Sequence, residues 1–278
     1  MQTRIVPATG EAVPVIGIGT WQGFDVADTA HDNARLDAVL DALSAAGGRV
    51  IDTSPMYARA EGTVGRLLAD PVRRDSMFLA TKVWTRGREA GMAQMRESMH
   101  RLGVTRLDLM QVHNLLDTQE HWPVLCEWQE QGHIRLLGLT HYTRSAYADL
   151  EAQMRRFRPQ CVQFDYSVAA REAEQRLLPL AAQLGMAVII NRPFGGGGLH
   201  EALRDHALPD VAAELDCLTW AQLLLKFVLG HPAVSCVIPG TVQAAHMAAN
   251  AAAGSGPIAD SGQRARIVAA WQAAVGPG

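Results

Sequence analysis

The chain has 278 residues, of which 48% are hydrophobic and 19% are charged, and its formal net charge at pH 7 is -3. This composition is ordinary for a globular protein and gives no electrostatic basis for binding nucleic acid. The opening segment MQTRIVPATGEAVP lacks the apolar core of a signal peptide, and no stretch approaches the roughly 18 apolar residues of a membrane span. We therefore expect one domain over residues 1–278, located in the cytoplasm and without membrane or nucleic-acid partners.

Eight short apolar segments recur along the chain, each bounded by glycine, proline or polar residues. They are VIGIGTW (15–21), RVIDTS (49–54), MFLATKV (77–83), LDLMQVH (107–113), IRLLGLT (134–140), CVQFDYS (161–167), AVIINRP (187–193) and SCVIPG (235–240). Their length and their content of valine, isoleucine and leucine are typical of strands that are buried on both faces.

Segments with helical spacing lie between these strands. The segment 33–48 places Leu36, Leu40 and Leu43 on one face and ends in a glycine pair that can cap a helix. Similar segments span 87–103, 119–132, 145–157, 171–185 and 219–230, the last with Thr219 as a candidate N-cap. This alternation predicts parallel strands with crossover helices, and eight units in this length favour a closed (β/α)8 TIM barrel over an open sheet.

Polar side chains follow the predicted strands at the end where such barrels carry their active sites. In chain order they are Thr20 and Trp21, Asp52 with Tyr57 in the next loop, Lys82, His113, Thr140 and His141, Gln163 and Asp165, and Asn191 and Arg192. Because these strand ends meet at one rim, we expect the side chains to form a single site.

Asp52, Lys82, Tyr57 and His113 make a chemically coherent group within this set. Asp52 and Lys82 come from neighbouring strands, so each can neutralise a charge that would be costly to bury alone. A lysine beside a phenol stabilises the phenolate, so we expect the pKa of Tyr57 to be lowered and Tyr57 to donate a proton near neutral pH. His113 can hold a substrate oxygen by a hydrogen bond. Each residue alone has an ordinary structural explanation, but their joint position favours a catalytic site.

With these motifs in place, the chain resembles the aldo-keto reductase family along nearly its whole length. The resemblance is carried by VPVIGIGTW, VIDTSPMYARAEGTVGRLL, TKVW, RLDLMQVH, GLTHYT, VQFDYS, NRPFGGGGL and VIPGT. It implies an eight-fold α/β barrel, closed at the bottom by a short N-terminal β-hairpin, that binds NADPH without a Rossmann domain. The absence of a GxGxxG motif from VIGIGTWQG agrees with this.

The resemblance also implies a reaction, the reduction of an aldehyde or ketone to an alcohol by hydride from NADPH or NADH. Tyr57 would act as general acid, Lys82 and Asp52 would tune it, and His113 would orient the carbonyl. The substrate pocket would include Trp21, Met56, Trp84 and Trp122, and the short segment after the last predicted helix suggests an open site. The substrate would be a small carbonyl compound of unspecified identity, and the protein a monomer or weak homo-oligomer.

Cofactor contacts carry over from the family with three departures. The positions concerned are Gly19, Thr20, Trp21, Asp52, Thr140, His141, Gln163, Asn191, Arg192, Pro193, Phe194, Gly195, Gly196, Gly198, Pro239, Gly240, Thr241, Gln243, His246 and Asn250. Thr140 and His141 stand where members usually have a serine and an asparagine that hold the carboxamide. Asn191 stands where many members stack an aromatic ring on the nicotinamide, so Phe194 or Arg192 would have to compensate.

The third departure concerns the 2'-phosphate of NADPH, which members usually bind with basic residues after the last strand. The segment IPGTVQAAHMAAN contains no lysine or arginine. Because a dianionic phosphate is normally held by such residues, we expect weak discrimination between NADPH and NADH. The glycine run at 195–198 would let backbone amides approach the pyrophosphate.

Three other functions stay open on the residues alone. A Schiff-base lyase would use Lys82 as its nucleophile, although Asp52 would keep that amine protonated. A metal-dependent hydrolase would need ligands such as Asp52, His113 and His141, but the chain has no HxH or HExxH pair, so we expect no metal. A nicotinamide-binding sensor with slow turnover would explain the altered cofactor contacts.

Cysteine usage argues against a disulfide framework. Cys126, Cys161, Cys217 and Cys236 are widely separated and form no CxxC pair. Several lie inside apolar runs, so we expect buried thiols in a reducing compartment.

Overall fold

The computed structural model describes residues 1–276, and its strands begin with an antiparallel hairpin. The hairpin pairs β1 (Thr3–Ile5) with β2 (Ala12–Pro14). Eight parallel strands follow, one for each predicted segment. They are β3 (Ile18–Gly19), β4 (Val50–Asp52), β5 (Phe78–Val83), β6 (Leu107–His113), β7 (Ile134–His141), β8 (Cys161–Asp165), β9 (Ala187–Asn191) and β10 (Cys236–Val237).

The eight parallel strands neighbour one another in chain order, from β3 to β10. The first and last strands then meet through a parallel bridge between Ile16 and Val237, where the Gly17 amide donates to the Val237 carbonyl over 2.9 Å. This closes the sheet into the predicted (β/α)8 barrel, whose strands all point their carboxyl ends to one side.

The helices surround the strands and include several that the sequence patterns did not predict. They are α1 (Ala30–Ala45), α2 (Ala60–Leu67), α3 (Pro71–Ser76), α4 (Arg88–Leu102), α5 (Thr118–Glu130), α6 (Tyr147–Phe157), α7 (Leu177–Leu184), α8 (Gly198–Leu203), α9 (Val211–Glu214), α10 (Trp220–Leu229), α11 (Ala244–Ala252) and α12 (Ser261–Val275). Thr219 caps α10 as predicted, because its side chain accepts from the Gln222 amide.

The helix predicted over 171–185 is divided in the structure. A 3-10 turn at Glu172–Gln175 precedes α7, and Arg176 between them has non-helical backbone angles of φ -132° and ψ -72°. Pro179 lies in the first turn of α7, where its missing N–H removes no intrahelical hydrogen bond. Periodicity alone could not locate this break, since the apolar spacing runs through it.

Two groups of buried apolar side chains hold the barrel together. The larger lies between the strands and the surrounding helices. The smaller fills the lower interior, where Val6 and Val13 of the hairpin region join Phe78, Leu109 and Ala187 near the amino ends of the strands. The hairpin therefore closes the bottom of the barrel as predicted, which leaves the opposite end for polar side chains.

All four cysteines are free, and Cys161, Cys217 and Cys236 are buried. Burial raises the pKa of the Cys161 thiol to about 12, so it stays protonated. Among residues 1–276, the structure has no helix long and apolar enough to cross a membrane.

Candidate active site

Asp52 and Lys82 form an ion pair at the carboxyl end of the barrel. Asp52 ends β4, and Lys82 lies in the neighbouring parallel strand β5, two residues beyond Ala80, the register partner of Asp52. Lys82 Nζ donates to Asp52 Oδ2 over 2.6 Å and to the Thr53 carbonyl over 2.7 Å. Lys82 has no exposed surface and Asp52 only 2%, so the pair lies in a region of low dielectric.

Two opposing effects set the pKa of Lys82. Burial lowers it, because the charged form loses its hydration, whereas the charge of Asp52 and the Tyr57 oxygen raise it, and the net direction is upward. Lys82 is therefore an ammonium at neutral pH. It can stabilise an anion beside it, but it cannot attack a carbonyl as a free amine.

Tyr57 lies on the turn after β4, where its backbone amide donates to the Ser54 carbonyl over 3.0 Å. Its ring centre lies 5.1 Å from Lys82 Nζ and 5.9 Å from the centre of the His113 ring, which meets it edge-on at 85°. Burial raises the pKa of the phenol, and Lys82 offsets only part of this rise. The expected lowering of this pKa is therefore wrong, because the desolvation of the phenolate outweighs the neighbouring ammonium.

His113 ends β6 and is 4% exposed. Burial, together with the positive charge of Lys82, lowers its pKa to about 2, so the ring is neutral under ordinary conditions. Its Nδ1 lies 3.1 Å from the Ser54 hydroxyl. A neutral imidazole in this position offers one N–H donor, which suits the orientation of a carbonyl oxygen.

A chain of side-chain amides extends from the other oxygen of Asp52. Asp52 Oδ1 accepts from Gln111 Nε2 over 3.1 Å and from Gln163 Nε2 over 2.8 Å. Since a carboxylate paired with Lys82 can only accept, the Gln163 amide must turn its NH2 group to Asp52 and its oxygen away. The orientation of Gln163 is thereby determined by the ion pair.

The oxygen of Gln163 in turn orients two further residues. It accepts from the Thr140 hydroxyl over 3.1 Å and from Asn191 Nδ2 over 3.3 Å. Asn191 must therefore point Oδ1 away from Gln163, and this buried oxygen has no hydrogen-bond partner among residues 1–276. Thr140 and Asn191 both line the cavity, and each carries an oxygen that can accept a further hydrogen bond, which suits the NH2 group of a carboxamide such as that of nicotinamide.

A cavity of about 830 Å³ opens over these groups at the carboxyl end of the barrel. Most of the sequence-predicted site residues line it. They are Gly19, Thr20, Trp21, Asp52, Met56, Tyr57, Trp84, His113, Thr140, Gln163, Asn191, Arg192, Pro193, Phe194, Gly196, Gly240, Thr241, Gln243 and His246. This volume is in the range of pockets that hold a small molecule or part of a cofactor.

Trp122 and His141 do not line this cavity. Trp122 lies on α5 and packs on Phe157 with 5.4 Å between ring centres, so its assignment to the substrate pocket is wrong. His141 turns toward its own loop, where Nδ1 accepts from the Thr143 amide over 3.2 Å and the ring stacks on Tyr142. His141 therefore does not line the cavity in this arrangement, whereas Asn191 does.

The other predicted residues lie outside the lining. Gly195 and Gly198 flank the lining glycines, Pro239 precedes Gly240, Asn250 is buried on α11, and Lys82 lies beneath Tyr57.

The glycine run adopts a conformation that needs glycine. Gly195, Gly196 and Gly197 all have positive φ, and a Cβ added to Gly196 would lie 2.9 Å from the Arg192 guanidinium. The left-handed backbone, more than a lack of space, is what favours glycine at these positions, since a Cβ on Gly197 would meet nothing within 4 Å.

Sequence reasoning missed several residues that contribute to the cavity. Asn114 and Tyr142 line it from loops and His200 from the short helix α8, where no periodic pattern marks them. Arg35 on α1 donates to the Val242 carbonyl over 3.4 Å and pairs with Asp32 over 2.8 Å, so one guanidinium does reach the loop after β10. Asn114 has a left-handed backbone with φ 53°, a local conformation that sequence spacing does not reveal.

The sequence matches a model of the Aldo/keto reductase family over residues 15–271. It is 32% identical to an aldo-keto reductase of Mycolicibacterium smegmatis, over 90% of this chain and 87% of that relative. It is 31% identical to the methylglyoxal reductase YeaE of Escherichia coli, over 91% of this chain and 89% of that relative.

The fold is similar to a crystal structure of an aldo-keto reductase from Klebsiella pneumoniae in complex with NADPH. The TM-score is 0.81 at 28% sequence identity, and the match covers 98% of this chain and 95% of that chain. The similarity therefore extends over the whole barrel and both sides of the cavity.

Proposed function

Since the chain belongs to the aldo/keto reductase family, we propose that it reduces an aldehyde or ketone to an alcohol with NADPH or NADH. The observation that carries this proposal is the position of Tyr57, whose ring lies beside Lys82 Nζ and the His113 ring at the edge of the cavity. These three groups can supply a proton, stabilise the resulting phenolate and orient an oxygen.

Tyr57 is the general acid in this proposal. When bound, the reduced nicotinamide supplies the hydride that the carbonyl carbon accepts. The Tyr57 hydroxyl donates its proton to the carbonyl oxygen as negative charge develops there. The raised pKa keeps the phenol protonated until that moment. The proton is still transferred, because the developing alkoxide is a stronger base than the phenolate.

Lys82 and His113 act on either side of this proton transfer. The Lys82 ammonium stabilises the phenolate that remains on Tyr57, and Asp52 holds the ammonium in place. The neutral His113 ring donates a hydrogen bond to the substrate oxygen and so directs the carbonyl toward Tyr57. All three groups act in a buried site, where electrostatic interactions are stronger than in water.

Thr140 and Asn191 would hold the carboxamide of the cofactor, and the loops after β9 and β10 would hold its phosphates and adenosine. The NADPH complex of the similar Klebsiella protein supports NADPH for this chain. The loop after β10 offers Thr241 and Gln243 to a 2'-phosphate and the first turn of α11 offers His246, while Arg35 nearby is already paired with Asp32. We therefore propose that NADH is accepted with comparable affinity.

The substrate that we propose is a small carbonyl compound, with 2-oxoaldehydes such as methylglyoxal as the first class to test. The 31% identity to a methylglyoxal reductase supports this choice. Trp21, Met56 and Trp84 line the cavity and give it apolar walls beside the reactive groups. Such walls also suit an aromatic aldehyde, which is the natural comparison substrate.

A Schiff-base lyase is a weaker candidate, because the buried Lys82 ammonium is paired with Asp52 and its pKa is raised. A slow sensor would bind cofactor as the reductase does and differ only in turnover. The four free cysteines suit a reducing compartment, and we propose the cytoplasm as its location.

The test measures cofactor binding and turnover separately. Quenching of tryptophan fluorescence by NADPH and NADH gives the dissociation constants, and loss of reduced nicotinamide absorbance with methylglyoxal or an aromatic aldehyde gives turnover. Tyr57→Phe should keep cofactor affinity and lose roughly 10²- to 10⁴-fold in kcat. Absence of cofactor binding would refute the proposal, and tight binding with negligible turnover on all carbonyls would favour the sensor.

A further inference from the structure

Ser54 lies between the turn that carries Tyr57 and the ring of His113. It is fully buried, two residues after the end of β4. Its Oγ accepts from the Met56 amide over 3.3 Å and lies 3.1 Å from His113 Nδ1. One hydroxyl group therefore joins the turn of the proposed proton donor to the proposed carbonyl-orienting ring.

The Ser54 hydroxyl hydrogen has one acceptor among residues 1–276, His113 Nδ1. The Met56 amide is itself a donor and cannot take it. If Nδ1 carried the ring proton, it would donate to Ser54 Oγ, and the hydroxyl hydrogen would be buried without an acceptor. The opposite arrangement satisfies every group, because the hydroxyl donates to a bare Nδ1.

The proton of the neutral ring then resides on His113 Nε2. This nitrogen has no hydrogen-bond partner among the described residues, and His113 lines the cavity beside Tyr57. The edge-on contact of the two rings, with 5.9 Å between their centres, brings both donors to the same part of the cavity. An oxygen with two lone pairs can accept from both at once, whereas an N–H group cannot.

We propose that Ser54 is a positioning residue that holds neutral His113 as its Nε2–H tautomer and aligns that donor with the Tyr57 turn. The inference deepens the proposed carbonyl reduction and rests on it. It also specifies what the site accepts: an oxygen that only receives hydrogen bonds, as a carbonyl does, placed between Tyr57 and His113. Ser54 touches neither substrate nor cofactor in this account and acts only through the ring and the turn.

The direct test is the tautomer itself, observed by two-bond ¹H–¹⁵N correlation in protein labelled with ¹⁵N-histidine. The His113 signals are assigned by their loss in His113→Gln. We expect the protonated nitrogen to be Nε2 in the wild type, and Ser54→Ala to show signals of the Nδ1–H form. A wild-type ring protonated at Nδ1, or an identical tautomer in Ser54→Ala, would overturn the proposal.

Steady-state kinetics test the role of Ser54 independently. Ser54→Ala should lower kcat/KM for an aldehyde by about tenfold with an unchanged dissociation constant for NADPH. Ser54→Thr keeps the hydroxyl and should restore the Nε2–H signals. Ser235→Ala is the matched control, because it removes a buried serine hydroxyl that bonds the Val188 amide at the opposite end of the barrel. An equal kinetic loss in Ser235→Ala would overturn the assignment to Ser54.

The two proposals fail in different ways. If the wild type reduces no carbonyl, the proposed function is wrong, and the tautomer measurement still decides the role of Ser54. If Ser54→Ala does not fold, the wild-type and Ser54→Thr spectra decide it: Nε2–H in both supports the proposal, and Nδ1–H in either contradicts it.

Discussion

The Lys82 ammonium lies 5.1 Å from the centre of the Tyr57 ring, yet the pKa of the Tyr57 phenol is raised, not lowered. Burial is the larger effect, since a phenolate in this position would lose most of its hydration. The lysine therefore does not make the tyrosine acidic at rest. Its contribution comes after proton transfer, when it faces a phenolate whose charge it can stabilise.

This relationship predicts the pH dependence of the reaction. The donor must be protonated, and its pKa lies above the ordinary value of 10.0. With saturating cofactor, kcat for reduction should stay level from about pH 6 to pH 9 and fall only at higher pH. Steady-state assays of carbonyl reduction across this pH range measure kcat. A fall in kcat centred between about pH 7 and pH 9 would show that the lysine controls the phenol after all.

Replacement of Lys82 should destabilise the fold as well as the reaction. Lys82→Met leaves the Asp52 carboxylate buried without its cation, which should lower the free energy of unfolding by about 3–5 kcal/mol. Urea unfolding followed by circular dichroism measures this loss. The double variant Asp52→Asn with Lys82→Met removes both charges and should recover part of the stability, and no recovery would contradict the ion-pair explanation.

His113 should make stability depend on pH on the acid side. Its pKa is about 2 in the folded protein and ordinarily near 6.5, so between these values the unfolded chain binds the extra proton. Its contribution is complete above about pH 6.5 and declines as the pH falls, by about 2 kcal/mol from pH 7 to pH 5. Urea unfolding at pH 7 and pH 5 measures the loss in the wild type and in His113→Gln. The variant should lose about 2 kcal/mol less than the wild type between these pH values. Equal losses in the two proteins would contradict the low pKa of His113.

The two acceptors of Thr140 and Asn191 should recognise the amide of the cofactor. An analogue with an acetyl group in place of the carboxamide offers no N–H, so the wild type should bind it about tenfold more weakly than the parent cofactor. Fluorescence titration measures both affinities. Asn191→Leu should weaken binding of the parent and reduce this discrimination, and undiminished discrimination in the variant would place the amide elsewhere.

Cofactor preference tests the loop after β10. The wild type should favour NADPH over NADH by less than about 1.4 kcal/mol, a tenfold ratio of dissociation constants. Gln243→Arg adds a guanidinium at the cavity edge and should raise the ratio, because arginine binds phosphate oxygens in pairs. A wild-type ratio well above tenfold would mean that other groups, with Arg35 the first to examine, bind the 2'-phosphate.

The order of strands and the residues at their carboxyl ends could be predicted because both are local properties. A buried strand must be apolar along its length, so Asp52, Lys82 and His113 stand out where each apolar run stops. Parallel connection then brings those ends to one rim whatever the details of packing. The barrel and the cluster of Asp52, Lys82, Tyr57 and His113 could therefore be predicted from the sequence.

The orientation of each side chain was not accessible in this way, because it depends on neighbours that are distant in sequence. Trp84 directly follows β5, but Trp122 lies in α5, where it packs on Phe157 of α6 and does not line the cavity. Arg35 reaches the loop after β10 only because α1 packs beside α11. Contacts between helices therefore determine the orientation of both side chains.

The sequence by itself thus determined the barrel, the family and the chemical groups at its rim, because burial patterns and motif spacing are written along the chain. Only the tertiary structure decided how those groups behave. Burial raised the pKa of Tyr57 instead of lowering it, the Asp52–Gln163 bond turned the Asn191 oxygen away from Gln163, and Ser54 contacts His113 across 59 positions of sequence. Desolvation and hydrogen-bond direction depend on the full set of surrounding atoms, which only the folded chain brings together.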